Sequence, residues 1–121
     1  MSRGREAALD RLRHMAAAAQ AIKGYVGRGR AAFDGDSAVR EAIVYQIVVL
    51  GEAAKAVVAA DPSIATEVPG VEWSLLAKMR DKVAHQYWAV DGEVVWSTAE
   101  RDVPALAALL ETLLSGNRQS P

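Results

Sequence analysis

The sequence has no cysteine, which excludes a disulfide framework, a thiolate nucleophile and any zinc or iron–sulfur site with cysteine ligands. It shows no sustained strand-type alternation and no internal repeat. We expect no membrane segment, since no stretch approaches the roughly 20 apolar residues that cross a bilayer. We also expect no signal peptide, since arginines interrupt the N-terminal alanines. These absences predict an intracellular, cytoplasmic protein.

The positive and negative charges nearly cancel, with a formal net charge of −1. The whole-molecule charge therefore does not indicate a nucleic-acid binder. The distribution is uneven, because residues 1–40 hold eight of the 14 basic residues and only four of the 15 acidic ones. This basic segment could attract a polyanion, but an ordinary solvated helix face explains it equally well.

Length and apolar spacing predict the fold class. A chain of 121 residues predicts one domain over residues 1–121, large enough for a core without metal or disulfide support. Apolar residues recur at helical spacing over residues 6–25, over 37–60, from about 72 into residues 79–91, and again after Gly92. We therefore predict an all-α fold, an antiparallel bundle of four to five helices.

Helix-breaking and capping residues mark where the first two helices end and begin. Gly24, Gly27, Gly29 and then residues 34–37 suit turns and caps, so the first helix is expected to end at about Tyr25, a turn to follow, and Asp36 or Ser37 to cap the second helix. Asp61 and Pro62 are expected to end the second helix and to lead into an irregular connection.

Two further positions carry structural expectations. Gly51 lies inside the second helix, where glycine costs about 1 kcal/mol relative to alanine, so it predicts close approach of another backbone or a ligand. It contributes either to an interface between protomers or, more simply, to the core. Pro104 is expected to kink the last helix or to mark a restart capped by Asp102, and residues 116–121 to form a frayed tail.

Residues 79–91 bring together an arginine, an acid, a histidine and a tyrosine. On a regular helix, residues four apart are neighbours, so Asp81 can reach His85; residues seven apart align, so Arg80 lies under Tyr87. Arg80 and His85 are five positions apart, roughly 140° around an ideal helix. They converge only through the long arginine side chain or a bend.

These side chains suit phosphodiester cleavage. Histidine exchanges protons near neutral pH, and arginine is a charged fork that matches phosphate. RNA carries its own nucleophile in the 2′-hydroxyl, so the site needs a base for that proton and a cation for the charge on the phosphate oxygens. Asp81 could orient the imidazole of His85, and Tyr87 could donate a hydrogen bond to the phosphate.

Each of these residues also has an ordinary structural explanation. An acid four positions before a histidine is often only a helix-stabilising pair, and Arg80 could be a salt-bridge partner. Tyr87 and Trp88 could be core aromatics, which is the preferred explanation for Trp88. His14 has no clustered partner and is expected at the surface.

A metal site is not predicted. The acids Glu52 and Asp81, together with His85, lack the tight ligand spacing of a metal site. We therefore expect neither a metal nor another cofactor.

The spacing Arg80-x-x-x-x-His85-x-Tyr87, with Asp81 directly after the arginine, resembles the signature of HEPN-fold ribonucleases, specifically the HepT-like toxins of HEPN/MNT type VII toxin–antitoxin systems. The resemblance covers nearly the whole chain, from Asp10 to Leu114. Its flanking segments occur in the same order as in that family: Leu50-Gly51-Glu52-Ala53-Ala54-Lys55, Met79-Arg80-Asp81, Val90-Asp91, Val95-Trp96 and Asp102-Val103-Pro104. Gln86 departs from it, because many relatives carry an acid between the histidine and the tyrosine.

This resemblance implies a HEPN-type bundle and a toxin that cleaves RNA as a metal-independent endoribonuclease. Arg80 and His85 match the catalytic residues, and Asp81 and Tyr87 match residues that bind or orient the substrate. It also implies a homodimer with facing motif helices, and a minimal nucleotidyltransferase antitoxin that transfers AMP to the motif tyrosine, here Tyr87. The alternatives are a dimer that holds a nucleotide or partner without cleaving RNA, and a purely structural adaptor.

Overall fold

The structure is a computed structural model that describes residues 3–68, 70–85 and 91–119. These residues contain no strand, which confirms the predicted all-α fold. In chain order the elements are α1 (Arg3–Val26), α2 (Arg30–Gly35), α3 (Ser37–Ala60), α4 (Ser63–Glu67), α5 (Trp73–His85), α6 (Gly92–Ser97), a π-helical turn (Thr98–Asp102) and α7 (Val103–Gln119).

The two long helices α1 and α3 pack against each other and run antiparallel. A Cβ built on Gly4, near the start of α1, would lie 2.5 Å from the carbonyl oxygen of Ala60, the last residue of α3. The ion pair from Arg5 Nη1 to Asp61 Oδ2, at 3.4 Å, joins the same two ends. The apolar stripe of α1 provides its buried residues, which are Ala8, Leu12, Met15, Ala18, Ala19 and Ile22.

Helix α3 lies between α1 and α5 and contacts both, which explains its wide apolar face. By length and composition alone this helix is able to cross a bilayer, so the expectation that no stretch approaches such a span was wrong. A core helix buried on more than one side meets the same criterion. The buried residues of α3 are Val39, Ile43, Val44, Ile47, Leu50, Gly51, Ala53, Ala54 and Val57.

The connection between α1 and α3 differs from the prediction. Helix α1 ends at Val26, one residue beyond the predicted end at about Tyr25. The segment expected to be a turn contains α2, whose buried Phe33 packs on Trp96 with ring centroids 5.2 Å apart. Helix α2 contains one buried apolar residue, which is too few to form an apolar periodicity, so the helix could not be recognised from the sequence pattern.

Helix α3 begins and ends as the sequence predicts. Asp36 is its N-cap and accepts a hydrogen bond from the backbone N–H of Ala38, and Asp61 is its C-cap. The connection that follows is not wholly irregular, because it contains α4 with Ile64 buried. The predicted tail is also partly helical, since α7 continues to Gln119.

The predicted interruption near Pro104 is confirmed, but it takes the form of a π-helical turn. Pro104 has no N–H to donate to the helix, and the N–H of Val103 bonds to the carbonyl oxygen of Thr98, five residues earlier. This turn is continuous with α6 and α7, so no capped restart at Asp102 is needed.

Candidate active site

The motif arginine and aspartate lie on α5, which is held in place by its apolar side. Trp73 and Val83 are buried, and Leu76 and Met79 are half-buried against the core. The helix begins at Trp73, one residue after the predicted start at about Glu72. Because this apolar side faces the bundle, the polar residues of the helix are left at its edge.

Part of the predicted site lies outside the described residues. His85 is the last residue of α5, and only its backbone is described. Residues 86–90, which include Gln86, Tyr87 and Trp88, are outside the described ranges. The predicted contacts from Asp81 to His85 and from Arg80 to Tyr87 therefore stay predictions.

Arg80 rests directly on Gly51 of α3. A Cβ built on Gly51 would overlap the Cβ of Arg80 and would lie 2.7 Å from the carbonyl oxygen of Leu76. The predicted close approach at Gly51 is thus confirmed, and the approaching backbone belongs to α5. Gly51 is itself buried, which favours its role in the core over a role in an interface.

The guanidinium of Arg80 is held by two carboxylates. Its Nε lies 2.6 Å from Oε2 of Glu52 on α3, and its Nη1 donates to Oδ1 of Asp81 at 3.2 Å. Nε has no hydrogen-bond partner although it is buried, so the short contact with Glu52 is an ion pair in which the carboxylate lies out of line with the N–H bond. The Arg80 side chain is 27% exposed, so part of it remains accessible to solvent.

Asp81 pairs with a lysine on the neighbouring helix. Lys55 Nζ donates to Asp81 Oδ1 at 3.3 Å, the same oxygen that accepts from Arg80. The hydrogen bond from Lys55, followed by that from Arg80, lowers the pKa of the Asp81 carboxyl below its ordinary value. Asp81 is therefore an ionised acceptor that links α3 to α5.

Four charges of alternating sign thus meet between α3 and α5. Glu52 and Lys55 are three positions apart and share one face of α3, and Arg80 and Asp81 are adjacent on α5. The net charge of these four residues is zero. From the sequence, Glu52 and Lys55 belong to a segment that resembles the HepT-like toxins, and Glu52 was also considered as a metal ligand, but neither residue was assigned to the site. Their spacing within the segment 50–55 was the signal that could have found them.

The two carboxylates of this cluster form ion pairs. Within the described residues, no group of three or more histidine or carboxylate side chains is placed to hold a metal ion. Both carboxylates of the cluster are already paired with cations, since Glu52 contacts Arg80 and Asp81 contacts Lys55.

An apolar cavity of about 270 Å³ lies between α3, α5 and α7, on another side of α5. Met79 lines the cavity but the neighbouring Arg80 does not. Leu75 and Leu109, which are large and exposed, also line it. The described polar residues at its wall are Glu72, Thr98 and Asp102.

The chain is similar to a family and to individual proteins that are all named as ribonucleases. A family model described as "Ribonuclease HepT-like" matches residues 15–113. A protein of Thermococcus cleftensis, provisionally named ribonuclease HepT, is 33% identical over 78 residues, which are 64% of this chain and 68% of that protein. No solved structure matches the chain significantly.

Two proteins of Methanocaldococcus jannaschii, each provisionally named an RNase, also match. One is 34% identical over 82 residues, which cover 68% of this chain and 65% of that protein. The other is 33% identical over 82 residues, which cover 68% of each. The chain therefore spans about two thirds of the length of these relatives.

Proposed function

Because this chain belongs to the HepT-like ribonuclease family, we propose that it is an endoribonuclease toxin that cleaves RNA without a metal ion. Family membership supports ribonuclease activity in general. The structural observation that carries the finer proposal is the fixed guanidinium of Arg80, held by Glu52 and Asp81 and partly exposed at the edge of α5. A guanidinium that is held in one orientation and partly exposed is suited to bind a phosphate group.

The proposed reaction is a transesterification within the RNA. His85 takes the proton of the 2′-hydroxyl, whose oxygen attacks the adjacent phosphorus. Arg80 stabilises the negative charge that builds on the phosphate oxygens. The bond from phosphorus to the 5′-oxygen then breaks, and that oxygen takes up a proton. The products are a 2′,3′-cyclic phosphate and a 5′-hydroxyl end.

A homodimer is part of the proposal. The reaction benefits from a base and an acid, whereas the motif of one chain contains a single histidine. A two-fold arrangement with facing motif helices would supply the second imidazole. Sedimentation equilibrium at the assay concentration measures this: we expect a dimer, and a fully active monomer would contradict it.

The proposed partner is a minimal nucleotidyltransferase antitoxin that transfers AMP from ATP to Tyr87. The adduct carries a negatively charged phosphodiester, which would compete with RNA for Arg80. A cytoplasmic location belongs to the same proposal, since RNA and ATP are available there. The support for this part is the match between residues 80–87 and the family motif.

The experiment that tests the proposal uses purified protein and a defined, end-labelled RNA in buffer with EDTA. We expect cleavage in EDTA and products with cyclic phosphate ends. The matched substrate is the same oligonucleotide with 2′-deoxy sugars, which should bind without being cut because it lacks the nucleophile. Binding of both oligonucleotides with no cleavage of either would favour the alternative, a non-catalytic binding dimer. Cleavage that requires added Mg²⁺ would refute the metal-independent mechanism.

A further inference from the structure

Glu52 faces the proposed phosphate-binding arginine and has no role in the reaction described above. We infer that Glu52 is a positioning residue, whose carboxylate holds the guanidinium of Arg80 in the orientation that receives the RNA phosphate. The inference rests on the proposed function, because it names a further residue of the same site.

The first step concerns the buried edge of Arg80. Its Nε has no exposed surface and no hydrogen-bond partner among the described residues. A desolvated cationic donor is costly unless a counter-charge lies nearby, and Glu52 supplies that counter-charge at 2.6 Å. The Nε edge of the fork is therefore held towards α3.

The second step concerns the rest of the fork. Nη1 donates to Asp81, whereas Nη2 makes no hydrogen bond to another described residue. The stem of Arg80 lies on Gly51, which limits its movement on the α3 side. With the stem and two nitrogens held, the N–H groups of Nη2 and the second N–H of Nη1 are the donors that the described residues leave for a phosphate oxygen.

A competing role predicts the opposite result. The Glu52 side chain is 57% exposed, so its negative charge could simply repel RNA or compete with phosphate for Arg80. Removing that charge would then strengthen RNA binding and lower KM without loss of kcat. A positioning role predicts that kcat falls, because a misplaced guanidinium no longer matches the charge of the transition state.

The substitution that separates the two roles is Glu52→Gln, which keeps the side-chain shape and removes the charge. We expect kcat to fall by on the order of 10- to 10²-fold with little change in KM. The matched control is Glu41→Gln, the same change at an exposed position of α3, eleven residues or roughly 16 Å away along the helix. Glu41→Gln should leave both constants unchanged.

A double-mutant cycle tests whether Glu52 acts through Arg80. Arg80→Ala alone should lower kcat by on the order of 10²-fold. Arg80→Lys should restore only part of the loss, since a point charge does not replace a fork. In the Arg80→Ala background, Glu52→Gln should have no further effect. An additive loss would overturn the inference, as would a lower KM with unchanged kcat in the single variant.

A readout that does not depend on cleavage distinguishes failure of this inference from failure of the proposed function. The Arg80 Nε–H signal in the ¹⁵N NMR spectrum, identified by its absence in Arg80→Lys, should be protected from exchange in the parent protein and lost in Glu52→Gln. If the parent protein cleaves no RNA but its Arg80 Nε–H signal is lost in Glu52→Gln, the proposed function is refuted and the positioning of Arg80 by Glu52 is supported. A signal unchanged by Glu52→Gln refutes the positioning role even if the parent protein is active.

Discussion

Gly51 of α3 and Arg80 of α5 lie so close together that a methyl group on the glycine would overlap the Cβ of the arginine. The contact sets the distance between the two helices at the point where they exchange ion pairs. Glu52 and Lys55, one and four residues after Gly51, reach Arg80 and Asp81 of α5. A single small residue thus allows the whole charged cluster to form.

The first prediction concerns Gly51→Ala. The added methyl group has no space, since both the Arg80 side chain and the Leu76 carbonyl oxygen lie against it. We expect a loss of about 1–3 kcal/mol in the free energy of unfolding, measured by urea denaturation. RNA cleavage should also fall, because Arg80 must move away from α3.

The matched control for that prediction is Gly24→Ala on α1. It is also a helical glycine, but no atom lies within 4 Å of its Cβ position. Alanine should there raise the free energy of unfolding by about 0.5–1 kcal/mol through helix propensity. Equal effects of the two substitutions would contradict the close contact at Gly51.

The second prediction concerns His85→Ala. If His85 moves a proton in the transition state, the substitution should lower kcat by on the order of 10²- to 10⁴-fold, with circular dichroism unchanged. The control is His14→Ala, because His14 is exposed on α1, where its Nδ1 lies 3.4 Å from Nη1 of Arg11, away from the motif on α5. A His85→Ala variant as active as the parent protein would remove His85 from the mechanism.

The third prediction concerns modification of Tyr87. After incubation with the nucleotidyltransferase partner, ATP and magnesium, mass spectrometry should find AMP on the peptide that contains Tyr87. Cleavage should fall in parallel, because the added phosphodiester occupies Arg80. Tyr87→Phe should carry no adduct, and its own cleavage rate, measured before and after incubation with the partner, should not fall. If Tyr87→Phe is inhibited as fully as the parent protein and neither carries AMP, protein–protein occlusion replaces modification as the mechanism.

The fourth prediction concerns acid stability. Lys55 and Arg80 lower the folded-state pKa of Asp81 below its ordinary value of 3.8. The stabilisation is therefore present above that ordinary pKa and is lost as the pH falls through the folded-state pKa. In urea denaturation between pH 7 and pH 2.5, Asp81→Asn should lose less stability on acidification than the parent protein does.

Lys55→Met tests the cause of that shift. Without the hydrogen bond from Lys55, the pKa of Asp81 should return towards 3.8, as measured by NMR titration of the side-chain carboxyl. Added salt should bring the pKa of Asp81 in the parent protein closer to its ordinary value, since Lys55 and Asp81 are both partly exposed and their attraction is screened. An Asp81 titration that is the same with and without Lys55 would contradict the pairing.

Much of the fold could be predicted from sequence, because helix formation leaves a local trace. The apolar stripe and the capping aspartate located α3 from Ser37 to Ala60. Short elements left no such trace, so α2 and α4 were missed. The interruption near Pro104 could be predicted because proline has no backbone N–H to donate. Its π-helical form could not, because that form depends on how the turn joins α6 to α7.

The motif on α5 shows where local spacing stops being sufficient. The sequence by itself determined that Arg80 and Asp81 are on one helix with His85, and that Gly51 meets a close neighbour. Only the tertiary structure decided that this neighbour is Arg80 and that Asp81 pairs with Lys55, which is 26 positions away. Spacing along a helix specifies which side chains share a face, whereas ion pairs between helices depend on how closely and at what point the two helices cross.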